Sequence, residues 1–275
     1  KNCFDQLYYR LGLGVYDVLA AEKNIGSSRL ASNAILKEAF PLLNDQLKGG
    51  VLYSDGQFND ARLNLLLALT AEKTGAILRT YCKVIGLEKN SQGNICGVIT
   101  QNSTNIIEKW IAKAVINSTG VNADKIRQLA KKDLPPRIVT SRGVHIVIKE
   151  SLCPKGVGLL LPETSDRRVV FILPFFGYTQ IGTTDTPCGI NEVRTPTKTE
   201  IQYLITHVKK YFKNINEVNL SSSWAGGRPL LKPLKSKSGT IELVREHEIE
   251  VSENGLISVM GGKWTTCRKM ALDTL

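Results

Sequence analysis

Nowhere in its 275 residues does the chain carry a long apolar run, a CxxC pair, a long run of like charge or an internal repeat, and each absence excludes something. The longest apolar stretch, residues 65–71 with their neighbours, falls far short of the roughly 20 residues a bilayer-spanning helix needs. No signal peptide opens the chain. Membrane attachment is therefore expected to be peripheral or to lie outside this segment. Six cysteines (Cys3, Cys82, Cys96, Cys153, Cys188, Cys267) are scattered without a CxxC pair or a histidine at ligand spacing. That pattern argues against a metal site and a disulfide framework and for a reducing compartment. The net charge of +11 is spread along the chain, and no nucleic-acid-binding motif accompanies it. A phosphorylated small molecule or an anionic lipid face suits such a surface better than nucleic acid. Gly12 and Gly14 begin a G-x-G-x-x pattern, but Asp17 ends it and no strand pattern precedes it, so it is not a dinucleotide fingerprint.

What is present suits a globular fold. An apolar content of 42% with 22% charge is enough for a large core, in one large domain or two lobes. The chain opens on Lys1, and residues 268–275 read as a helix in progress, so the sequence reads as an internal fragment. Leu11, Val15, Val18 and Leu19 share a helical face. Residues 60–73 are helix-forming and apolar on most sides, with Gly75 placed to end them, which predicts a buried helix. Runs at 77–87, 94–100 and 105–111 predict an antiparallel meander. Residues 114–120 read as a parallel strand covered on both faces, followed by a short helix over 123–130. After Pro135 and Pro136 come a strand at 144–148 and a hairpin pairing 169–173 with 178–182. Thr197 and Glu200 make a capping box for a helix whose apolar face is Ile201, Leu204, Ile205, Val208 and Phe212. A basic loop after Gly226-Gly227 leads to strands at 241–251 and 256–260 and a helix from about Thr265. The class is α/β or α+β.

Five places carry candidate chemistry. Small residues ending a strand, as in Asn117-Ser118-Thr119-Gly120, allow backbone to approach a phosphate or ring, as an ordinary strand-to-helix turn also would. Met260-Gly261-Gly262-Lys263-Trp264-Thr265-Thr266 places two glycines and a lysine where a helix N-terminus exposes N–H groups and partial positive charge. Capping by Thr265 or Thr266 beside a surface lysine fits the same letters. Arg228, between glycines and a proline, has the planar fork that binds phosphate oxygens in pairs, and Arg245 offers the same from a strand, where an exposed ion pair is the more common fate of an arginine. His145, inside an apolar strand, is the strongest candidate for a functional imidazole among three histidines, and a core histidine would share that pattern.

Taken together the motifs resemble a known family. Tyr53-Ser54-Asp55-Gly56-Gln57 with Asn59-Asp60-Ala61-Arg62-Leu63-Asn64, Gly143-Val144-His145-Ile146-Val147, Ile181-Gly182-Thr183-Thr184-Asp185-Thr186, Gly227-Arg228-Pro229-Leu230 and Gly261-Gly262-Lys263-Trp264-Thr265-Thr266 follow the order of FAD-dependent glycerol-3-phosphate dehydrogenases. The similarity covers essentially the whole chain and is strongest to mitochondrial-type enzymes and their close bacterial relatives. The resemblance implies a D-amino-acid-oxidase-like, two-lobed flavoprotein with an incomplete FAD lobe and a substrate lobe on a mixed sheet. Residues 1–55 and 131–239 would build the substrate lobe, and 56–130, holding the meander, and 240–275 the FAD lobe. It implies oxidation of sn-glycerol 3-phosphate to dihydroxyacetone phosphate, with FAD as cofactor and a quinone as electron acceptor. A peripheral place on the mitochondrial inner or bacterial cytoplasmic membrane follows, with a homodimer as candidate assembly. By matching position, Arg228 and Arg245 resemble substrate-phosphate or active-site arginines, and His145 and Lys263 groups beside substrate and flavin. Thr119, Gly120 and Gly261, Gly262, Lys263, Trp264, Thr265 and Thr266 resemble FAD contacts. The family's Gly-rich pyrophosphate unit is not in this sequence, so the segment alone is expected to bind FAD weakly. Gly227, Phe175 and Cys267 replace the usual isoleucine, tryptophan and tyrosine. Two other readings stay open: an FAD-dependent amino- or hydroxy-acid oxidoreductase of the same fold, and a non-catalytic binding remnant.

Overall fold

The structure is a computed structural model that describes residues 3–47, 49–162, 164, 168–215, 217–232 and 246–275. Helix α1 (Cys3–Ala20) is followed by strand β1 (Arg29–Ser32), helix α2 (Asn33–Ala39), strand β2 (Gly49–Leu52) and helix α3 (Asp60–Lys73). Strands β3 (Cys82–Lys89), β4 (Ile95–Asn102), β5 (Ile107–Ile111) and β6 (Val115–Asn117) lead to helix α4 (Ala123–Ala130). Then come the long strand β7 (Ile138–Ile148) and strands β8 (Leu159–Leu161), β9 (Val170–Phe175), β10 (Tyr178–Gly182) and β11 (Thr186–Pro187). Helix α5 (Lys198–Tyr211), strands β12 (Leu220–Leu231), β13 (His247–Val251) and β14 (Leu256–Gly261), and helix α6 (Cys267–Thr274) complete the order.

These elements form two compact units. One comprises Lys1–Phe58, Gly143–Asp185 and Thr195–Ala225; the other Asn59–Arg142, Thr186–Arg194 and Gly226–Leu275. Residues 131–142 and 186–194 belong with the second unit, past the point where the Pro135-Pro136 signal suggests a boundary. The crossing falls inside β7, a continuous strand with no turn to mark it.

In the first unit the core is a sheet covered by α5. β10 pairs antiparallel with β7, β9 with β10, and β8 with β9. The β9–β10 hairpin turns on Phe176 (φ 50°) and Gly177 (φ 84°), the paired left-handed conformation that matches strand twist in a two-residue loop. Alternation along β7 sends Val144, Ile146 and Ile148 into the core with Ile172, Ile181, Leu204, Val208 and Phe212. Ile201 and Ile205 pack at its margin. α5 starts as its sequence predicts: Glu200 N donates to Thr197 Oγ1 at 3.3 Å, and Thr197 N donates to Glu200 Oε2 at 3.1 Å. The face predicted on α1 does not become core, since Leu11, Val15, Val18 and Leu19 are exposed.

The second unit holds the meander, β3 to β4 to β5, antiparallel throughout. Its first strand begins at Cys82 and not at 77, because the chain turns through Tyr81 at φ 53°. β14 pairs antiparallel with β13 and parallel with β6, giving a mixed three-stranded sheet. β6 is parallel as expected, but one face is open: Ile116 is 47% exposed whereas Asn117 is buried. The expectation of a buried α3 is also corrected, as none of its residues is buried. Its termini alone specify a helix: Arg62 N donates to Asn59 Oδ1 at 3.0 Å, and Gly75 N donates to Glu72 O at 2.9 Å. The apolar sides of a helix state what it needs covered, and the described residues supply no layer over Leu65, Leu66, Leu67 and Leu69.

Candidate functional site

Because β6 and β14 are parallel neighbours, Ser258 opposite Asn117, both leave the sheet at the same edge. Ligands in α/β sheets bind at such carboxyl ends. The turn at Thr119-Gly120 and the turn at Gly261-Gly262 therefore open side by side. Asn117, 2% exposed and the first residue of the strand-ending Asn117-Ser118-Thr119-Gly120 motif, closes β6. Its Nδ2 donates to Ala123 O at 3.0 Å and Ser258 Oγ at 3.1 Å, and its Oδ1 accepts from Thr119 Oγ1 at 2.7 Å. Only a side-chain amide both donates twice and accepts in this way. The signal available in the sequence is one amide closing an otherwise apolar strand.

Gly261 and Gly262 have φ of 70° and 78°, the left-handed region that side chains avoid. A Cβ on Gly261 would also lie 2.6 Å from Glu246 O, and one on Gly262 would lie 2.5 Å from Met270 Sδ. The turn then passes Lys263 and a single 3-10 turn, Trp264–Thr266, into α6. Capping does not explain these residues. Thr266 makes no side-chain cap bond; its hydroxyl donates back to Lys263 O at 3.0 Å. Lys263, Trp264, Thr265 and Thr266 are all exposed, so the positive end of α6 faces outward beside a lysine. Behind the turn, His247 sits opposite Gly261 on β13 and shares a 2.9 Å hydrogen bond with Asp273 of α6.

Arg228 lies on β12, not in the loop its flanking glycines and proline suggest. Its neighbour Gly227 runs so close to the start of the α4 segment that a Cβ there would be 3.0 Å from Val121 Cγ1 and from Val193 Cβ. The second unit thus gathers Thr119, Gly120, Arg228 and residues 261–266. Arg245 lies outside the described residues.

His145 belongs to the first unit, on the face of β7 opposite the core cluster. Its ring lies 5.5 Å from the Trp224 ring at an interplanar angle of 12°. Together with Phe171, Leu173, Gln180 and Gly182 it lines a small cavity of about 70 Å³. The imidazole is half-buried and flanks this cavity. A second, larger cavity of about 370 Å³ in this unit is lined by apolar residues including Leu36, Phe40, Leu43, Val157 and Leu161. Cys153 is excluded as a nucleophile: burial pushes its thiol up to about 12, and its Sγ donates to Ile172 O. Among the described residues no helix is long and apolar enough to cross a membrane.

Comparisons with known proteins place the chain in a family. The mitochondrial glycerol-3-phosphate dehydrogenase of Rattus norvegicus is 39% identical over 98% of this chain, which covers 38% of that protein. The probable mitochondrial glycerol-3-phosphate dehydrogenase of Dictyostelium discoideum is 36% identical over the whole chain and 46% of its own length. The chain thus spans less than half the length of these relatives. Among solved structures, the glycerol-3-phosphate dehydrogenase of Bacillus halodurans complexed with FAD superposes with a TM-score of 0.75 at 31% identity, covering 89% of this chain and 48% of that one. Residues 6–268 match the family described as FAD dependent oxidoreductase, and the chain belongs to that family.

Proposed function

We propose that the protein of which this chain forms at least a part oxidises sn-glycerol 3-phosphate to dihydroxyacetone phosphate. The observation that carries the reading is the 39% identity across 98% of the chain to a protein named for this dehydrogenase activity. The residues at hand fit FAD. Gly261 and Gly262, left-handed and packed too closely on Glu246 O and Met270 Sδ for a side chain, turn the backbone into an uncapped helix end where Lys263 presents positive charge. When bound, the flavin supplies the acceptor for the hydride leaving C2 of the substrate.

This chain's own residues would do the rest. The second unit would hold the cofactor through Thr119, Gly120 and residues 261–266, with Asn117 fixing the first turn. Arg228, and Arg245 outside the described residues, would grip the phosphate through paired N–H donors. His145 would take the proton from the C2 hydroxyl, help worth on the order of 100- to 10,000-fold. Lys263 and the α6 N-terminus would offset negative charge accumulating during the reaction. A quinone acceptor, peripheral contact with the mitochondrial inner or a bacterial cytoplasmic membrane, and a homodimer complete the proposal. Relatives named as mitochondrial support the first of those membranes.

The test is anaerobic. The full-length holoprotein should bleach in the visible when glycerol 3-phosphate is added and stay yellow with glycerol, glycine or lactate. Bleaching by an amino or hydroxy acid instead would replace the reading with another oxidoreductase of the same fold.

A further inference from the structure

The torsion that sets the plane of a histidine ring is intrinsically broad, so a general base on a strand needs neighbours to fix its orientation. His145 has two. On one side the paired strand passes so close that a Cβ at Gly182, its register partner, would lie 2.2 Å from His145 Cδ2 and 2.8 Å from Nε2. On the other, the Trp224 indole lies nearly parallel to the imidazole, 5.5 Å away at 12°. Trp224 is in turn braced by Phe175, 6.3 Å away and tilted by 38°, which itself meets Phe176 edge to face at 4.9 Å. Trp224 is 37% exposed and is not part of the core cluster, so anchoring the fold does not account for its placement.

We propose that Trp224 is a positioning residue that holds the His145 imidazole, sandwiched against Gly182, in the plane that proton removal requires. The inference rests on His145 being the base. Misplacing a reacting group by about 1 Å costs on the order of 100-fold in rate, and loss of one wall of the sandwich permits such a shift. Substrate affinity should change less than turnover, because an indole offers no positive charge with which to hold a phosphate.

The experiment is a double-mutant cycle in the full-length holoprotein, with kcat expressed per bound flavin: His145→Gln, Trp224→Leu, the pair, and Trp224→Phe. Trp224→Leu should lower kcat about 10- to 100-fold with KM nearly unchanged. Trp224→Phe, which keeps a flat face, should recover most of that loss. In the His145→Gln background Trp224→Leu should cost nothing further, since residues that act through one another are not additive. If Trp224→Leu leaves kcat unchanged, or multiplies the His145→Gln loss, Trp224 does not act through His145 and only this inference falls. Should His145→Gln itself retain normal kcat, the base assignment fails and this inference with it.

Discussion

The two units hold themselves together by different means. In the first, fifteen buried residues form one continuous apolar cluster, enough to span sheet and helix. In the second, the described apolar clusters contain three buried residues each, and the buried centre is ionic. Arg127, 2% exposed, donates through Nε and Nη2 to Glu250 at 2.8 Å each and through Nη1 to Asp124 at 2.7 Å. Arg137, 5% exposed, grips Glu248 with both Nη groups at 2.9 and 2.7 Å. Asp124 also accepts the backbone N–H of Arg137 and of Ile138. Burial pulls the Arg127 guanidinium's pKa down, and the bonds from Glu250 and Asp124 outweigh it and leave it raised. Apolar burial tolerates many arrangements, whereas these forks fix α4, β7 and β13 in one register. That difference suits a unit whose turns must place ligand contacts and whose apolar surface, α3 above all, is largely uncovered.

The contrast breaks most sharply at Arg127. Arg127→Ala leaves the Asp124 and Glu250 carboxylates without their guanidinium and should cost about 3–5 kcal/mol. Arg127→Met, which removes the charge but fills the space, strands the same carboxylates and should remain destabilised. In the first unit Leu204→Ala empties a fully buried site and should cost about 2–5 kcal/mol. Urea unfolding of the full-length protein, followed by hydrogen exchange, should localise the first loss to residues 59–142 and 246–275 and the second to 143–162, 168–185 and 195–215. Coincident loss in both regions for both variants would show that the units do not unfold separately. A smaller effect is expected at the head of α5, where Thr197→Ala removes the side-chain half of the capping box, leaves the backbone bond from residue 197 to Glu200, and should cost about 1 kcal/mol.

The first unit was also the more legible. The α5 boundaries and buried face follow from a capping box and 3.6-residue spacing, both local. The hairpin likewise follows from two runs and a glycine turn. In the second unit the meander was readable, but the burial of α3 and β6 was not. Periodicity reports which side of an element is apolar, and only the neighbouring chain decides whether that side is covered. Arg228 read as a loop residue because Gly-Gly and Pro are poor strand formers, and tertiary pairing overrode that preference. The candidate site was partly visible: the two glycine-bearing turns were found as separate motifs, but that they share a sheet edge depends on the parallel register of β6 and β14. The Trp224 stack depends on β7 and β12 together and has no local signal at all.

Acid at the second unit's ionic centre should give the smallest effect. The Arg137 fork holds the Glu248 carboxyl below its ordinary value, so the folded state binds fewer protons there than the unfolded chain. The stability this contributes is fully present above the unfolded carboxylate value of about 4.3 and is lost as pH falls through the lower folded value. Glu248's side chain is 36% exposed, so solvent screening keeps the contribution below about 1 kcal/mol. Urea midpoints measured from pH 7 down to pH 3 should fall more steeply for the native protein than for Glu248→Gln, the two curves converging at the acid end. Parallel curves for the native protein and Glu248→Gln would mean that the fork orders β7 against β13 without a net electrostatic gain, as buried ion pairs commonly do.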